Sequence, residues 1–60
     1  MMTAAQVDKV IDEVSSLVGG EDQGLVAFIL RMKADRCENT DEFAHLAIKM
    51  LETTFGVSAA

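Results

Sequence analysis

The sequence has no proline, tryptophan or tyrosine, and it contains one cysteine, Cys37, and one histidine, His45. A single cysteine excludes a disulfide within the chain. One cysteine and one histidine are also too few to form a Cys/His zinc cluster within one chain. Small domains often need such crosslinks, because a chain of 60 residues buries only about 60% of its unfolded surface. Close helix packing and association with another chain remain as sources of stability.

Long apolar runs and a basic N-terminus are also lacking. The longest apolar run is Leu25–Leu30, far below the roughly 20 residues that span a bilayer. Residues 1–6 contain no Lys or Arg, so they do not resemble the basic start of a signal peptide. Since an unpaired thiol suits a reducing compartment, we expect a cytoplasmic protein that does not bind membranes.

Basic residues are few: 5 Lys and Arg stand against 10 Asp and Glu, which gives a net charge of −5. Nucleic-acid binding depends on basic side chains that neutralise phosphates, so we expect no direct nucleic-acid partner. Yet half the residues are hydrophobic, and the mean hydropathy is +0.24. We therefore expect more apolar surface than one short chain covers, and a partner that is another protein chain, either a second copy or a different, basic protein.

Apolar residues recur at spacings of three and four in three segments, which is the period of an amphipathic helix. Thr3 and Gln6 have the spacing of a capping box before the first segment, and Gly19-Gly20 is expected to end that helix. The predicted helices cover residues 4–18, 22–36 and 40–55 of a single domain, 1–60. Three helices with short joints predict an all-α fold, either a small three-helix bundle or an interlocked helical homodimer.

The middle helix contains the run Leu25–Leu30, which is apolar on every side. A helix that is apolar all round is covered all round, and two neighbouring helices cannot easily surround it. We therefore expect Val26 and Leu30 to contact a partner chain, with homo-oligomerisation as the simplest arrangement. Burial of both residues within one chain would remove this argument and leave the acidic helix faces as the binding surface.

Acidic residues are the second candidate binding surface. They could imitate a phosphate backbone and occupy a nucleic-acid-binding protein, or they could simply be solvated, as charged helix faces usually are. The candidates are Asp8, Asp12 and Glu13 on the first helix and Glu21 and Asp22 at the start of the second.

Cys37 is the one candidate thiol nucleophile. Such a nucleophile needs a base within hydrogen-bond reach, but the only histidine lies eight residues further along and no glycine-rich loop is near. We interpret Cys37 as a small apolar residue near a helix end. The glycines at 19, 20 and 24 enclose two carboxylates, which would repel phosphate, so they predict turns and not a phosphate-binding loop.

Glu42 and His45 have the Glu-x-x-His spacing of di-iron helical proteins. A symmetric dimer could supply two such motifs, with Glu13 or Glu52 adding carboxylates. However, the pair shares the polar helix face with Lys49, so we interpret it as solvated. We predict no catalytic, cofactor-binding or metal-binding residues and no enzyme activity.

These observations favour a small acidic protein-binding module that acts as a regulator or inhibitor of a partner protein. Small proteins of this kind are common in phages and mobile elements, and an inhibitor of a nucleic-acid-handling host complex would suit the charge. The alternatives are a self-assembling structural or dimerisation domain and a metal-binding helical dimer.

Overall fold

The structure is a computed structural model that describes residues 1–57. Helix α1 covers Ala4–Ser15, α2 covers Gly20–Lys33 and α3 covers Thr40–Thr54. A single 3₁₀ turn, Ala34–Arg36, continues α2. The predicted all-α three-helix bundle is confirmed.

Helix α1 packs closely against both α2 and α3. Each helix contributes one apolar edge to a single core, as the spacing of the apolar residues predicts. The largest fully buried side chains at its centre are those of Phe43, Ile11, Leu30, Leu51 and Val26. Val14, Val18, Cys37 and Ala47 complete the core.

Side-chain caps begin two of the helices. The Gln6 backbone N–H donates to Thr3 Oγ1 (3.2 Å), and the Thr3 N–H donates to Gln6 Oε1 (2.8 Å). This reciprocal pair is the predicted capping box, and it satisfies two backbone donors at the start of α1. At α3 the Asn39 Oδ1 accepts from the Glu42 N–H (2.8 Å), so Asn39 is the cap.

The first helix ends earlier than predicted, at Ser15 and not at residue 18. The Ser15 and Ser16 hydroxyls donate to the carbonyls of Ile11 and Glu13, and serines that bond backbone in this way compete with helix continuation. The prediction that Gly19-Gly20 ends α1 is wrong. Gly19 has extended backbone and is the N-cap of α2, whose first residue is Gly20.

The third helix ends at Thr54, one residue before the predicted end. Gly56 has a φ of +67°, a left-handed conformation that glycine adopts without a steric penalty. The Val57 N–H then donates to the Leu51 carbonyl (3.2 Å). The glycine therefore lets the chain turn back and satisfy a carbonyl in the last turn of α3.

Val26 and Leu30 correct the sequence prediction. Both are 0% exposed within a single chain, because this edge of α2 lies in the core with α1 and α3. They cannot contact a partner at the surface, and the argument for association that rested on them fails. The apolar surface of α2 lies on its other side.

Candidate protein-binding surface

The outer side of α2 carries three large apolar residues that the fold leaves exposed. Leu25 is 52% exposed, Phe28 64% and Met32 65%. Their spacings of three and four residues place them along one helix face. We call this set the α2 stripe.

Two members of the α2 stripe, Leu25 and Phe28, belong to the apolar run Leu25–Leu30. Helical geometry turns Val26 and Leu30 to the same side, four residues apart, and both are fully buried. The remaining large side chains of the run must then point elsewhere. Ile29 is half-buried beside the stripe, so the apolar character continues from the exposed face towards the core.

Charged residues of opposite sign stand at the two ends of α2. Glu21 and Asp22 lie in the first turn, and Lys33 lies in the last. Arg36 follows in the 3₁₀ turn. Three of these are exposed and Lys33 is half-buried. Each sign complements the helix dipole at its end, and together they give the stripe an acidic end and a basic end.

The acidic residues predicted to bind a partner are all exposed, and one of them, Asp8, forms an ion pair. The carboxylate of Asp8 pairs with Arg31, with 2.7 Å between Oδ1 and Nη1. This contact joins α1 to α2 while both side chains remain more than half exposed, at 53% and 58%. Such a pair contributes little stability, yet it partly neutralises Asp8.

Asp12 lies beside a shallow groove between α1 and α2, whose walls include Ser15, Gln23 and Gly24. The Gln23 side-chain amide donates to the Val18 carbonyl (3.3 Å), which joins the start of α2 to the preceding turn. Glu13, Glu21 and Asp22 are exposed elsewhere on α1 and α2. The five acids therefore lie on both helices, and whether they bind a partner stays a prediction.

Cys37 forms part of the wall of a groove of about 470 Å³, together with Met2, Val7 and Ala34. The thiol is buried. Its pKa is raised above the ordinary value by burial and, to a smaller extent, by the negative charge of Glu42. Since the thiolate is the reactive form, this environment favours an inert thiol.

Glu42 and His45 are both exposed on α3, whereas Phe43 and Ala47 of the same helix are buried. In the part of the chain that the structure describes, no three His, Cys, Asp or Glu side chains lie together as metal ligands would. Among residues 1–57, no helix combines the length and apolar character that crossing a membrane requires.

No protein-family model matches this chain, and no match was found among curated proteins or solved structures.

The sequence indicated surplus apolar surface on the second helix, but the residues selected there, Val26 and Leu30, are buried. Within Leu25–Leu30 no polar residue marks the solvent side, so the run does not show which side of the helix is exposed. That information lies outside the run, where Glu21 precedes Leu25 by four residues and Arg36 follows Met32 by four. Charged residues at both ends of one face indicate that this face is the exposed one.

Proposed function

We propose that this chain is a small acidic protein-binding module, and that it regulates or inhibits a partner by placing the α2 stripe against another protein chain. The observation that carries the proposal is the exposure of Leu25, Phe28 and Met32 along one helix face. Contiguous apolar patches on small proteins commonly mark binding sites, whereas apolar residues exposed singly need no explanation.

Leu17 illustrates the difference. It is 50% exposed, nearly the same as Leu25, but it lies in the turn between α1 and α2 and not on the stripe. Covering the α2 stripe removes three large side chains from water at once, and each contributes roughly 25 cal/mol per Å² of apolar area buried. The gain from covering Leu17 alone is far smaller.

The charges support an apolar contact with a polar rim, which is the usual anatomy of an interface. The net charge of −5 favours encounter with a basic partner surface through long-range attraction. The buried, unpaired thiol of Cys37 supports action in a reducing compartment such as the cytoplasm.

The proposal is tested by photo-crosslinking in the cells that produce the protein. A benzoylphenylalanine in place of Phe28 is compared with the same residue in place of Leu17, which matches Leu25 in exposure. We expect a discrete adduct from position 28 and none from position 17. The adduct should disappear when Met32→Glu is added, because a carboxylate on the stripe opposes burial.

No adduct at position 28, or equal adducts at both positions, would contradict the proposed function. The mass of the adduct identifies the occupant, since two joined copies of this chain differ from one copy joined to another protein.

A further inference from the structure

We propose that the α2 stripe binds a second copy of this chain, with the two α2 helices antiparallel across a two-fold axis. This inference rests on the proposed function, because it names the partner for the same stripe. Two features of the helix carry it: the order of its apolar residues and the order of its charges.

The apolar residues are self-complementary when the axis passes between Phe28 and Ile29. That register places Leu25 opposite Met32 of the second copy and Phe28 opposite Ile29 of the second copy. Every contact then occurs twice, as a two-fold interface requires. The half-buried Ile29 lies beside the exposed Phe28, so the two aromatic rings meet aliphatic surface and no polar group of the run enters the contact.

The charges favour the same register. It brings Glu21 and Asp22 of the first turn to the basic end of the second copy's α2. Arg36 is exposed there, Lys33 is half-buried, and the exposed Asp35 is the one acid of that end. Two basic residues therefore outnumber one acid where Glu21 and Asp22 arrive. A parallel pair would instead bring acid to acid and base to base, which is repulsive. Opposed helix dipoles add to the preference for the antiparallel arrangement.

The expected contact is small. From Glu21 to Arg36 the helix extends about 22 Å, and its width is about 10 Å. This is about 220 Å² per copy, or about 440 Å² in total, well below the roughly 1,200 Å² that stable specific interfaces bury. The dimer should therefore be weak and should dissociate on dilution, which makes it sensitive to single charge changes at the rim.

The test exchanges the charges at positions 21 and 36. Self-association of each variant is measured by sedimentation velocity at chain concentrations from about 1 µM to about 1 mM. Glu21→Arg and Arg36→Glu should each weaken self-association about tenfold, since each replaces two attractive contacts by two repulsive ones. An equimolar mixture of the two variants should associate again, because both contacts in the mixed dimer pair opposite charges. The double variant Glu21→Arg/Arg36→Glu should return to the affinity of the original chain.

The single variants separate the two orientations. In a parallel pair residue 21 faces residue 21 and residue 36 faces residue 36, so Glu21→Arg or Arg36→Glu replaces one like-charge contact by another and leaves the association unchanged, which would overturn the antiparallel arrangement. The controls are Glu13→Arg and Lys9→Glu on α1, which change the net charge equally and should leave the association as in the original chain. Circular dichroism confirms that each variant keeps its helices.

A chain that stays monomeric to about 1 mM overturns the inference, as does a double variant or mixture that fails to restore association. Such a result leaves the proposed function standing if position 28 still crosslinks to a different protein. Loss of both the dimer and the crosslink would overturn the proposed function as well.

Discussion

At the scale of single residues, Cys37 shows how burial decides chemical behaviour. The thiol lies in the core and its pKa is raised by desolvation, with a further contribution from the charge of Glu42. The sequence interpretation of Cys37 as an apolar residue near a helix end agrees with its burial. Its neighbours, which decide the direction of the pKa shift, come from different elements and were not visible in the sequence.

The pH dependence of stability follows from this shift. The fold favours the neutral thiol, so the folded pKa lies above the unfolded value of about 8.5. The stabilisation is complete below the unfolded pKa and is lost as the pH rises through the folded one. We expect the difference in unfolding free energy between the original chain and Cys37→Ala to shrink from pH 7 to pH 10 in urea titrations.

The same burial predicts slow chemistry at pH 8. A disulfide reagent should modify the native thiol much more slowly than the thiol in urea, because less thiolate is present and access is restricted. Equal rates in the two states, together with a pH-independent stability difference, would show that Cys37 is not in the environment described.

At the scale of elements, the predicted and observed helices differ mainly where local hydrogen bonds act. The period of the apolar residues located all three helices, and the capping box at Thr3 fixed the start of the first. The end of α1 depends on the serine hydroxyls, and the role of Gly19 depends on its extended backbone. Neither is determined by composition, because glycine and serine occur at both ends of helices.

For the run Leu25–Leu30, the spacing of apolar residues does not predict which side chains are exposed. Val26 and Leu30 were predicted to bind a partner, but both are fully buried. An apolar run without polar residues does not show which of its sides faces the core, and burial in the core shared with α1 and α3 decides it. The sequence correctly located apolar surface on the second helix, whereas the fold decides which residues form it.

Two glycines should respond oppositely to the same substitution. A Cβ at Gly24 meets no atom within 4 Å, and the residue lies inside α2. Gly24→Ala should therefore stabilise the fold by about 0.5–1 kcal/mol. At Gly56, where φ is +67°, the same change should destabilise it by about 1–2 kcal/mol.

Thermal unfolding followed by circular dichroism measures both effects. The melting temperature should rise by several degrees for Gly24→Ala and fall for Gly56→Ala. A decrease for Gly24→Ala would contradict the helical backbone and the open space found at Gly24.

At the scale of the whole molecule, helix α2 has two apolar sides, one buried in the core and one exposed. Its inner edge holds the bundle together through Val26 and Leu30, and its outer edge remains in contact with water. The helix dipole accounts for acids at the start of α2 and bases at its end. In an antiparallel pair the same arrangement would also complement a second copy.

The acidic face of α1 remains available in such a dimer. Glu13 and Asp12 are exposed and do not belong to the stripe. Two copies would present a combined net charge twice the −5 of one chain, which raises the attraction for a basic partner. Long-range repulsion between the copies opposes pairing and is screened by salt, so association should be measured at physiological ionic strength.

The most direct measurement is a dilution series followed by ¹H–¹⁵N correlation spectra, because every backbone amide reports separately. We expect concentration-dependent shifts along α2 at Glu21, Leu25, Phe28 and Met32. The outer face of α1, including Lys9, should stay constant. Spectra that do not change with concentration, or shifts centred on α1, would contradict the claim that the α2 stripe binds a second copy.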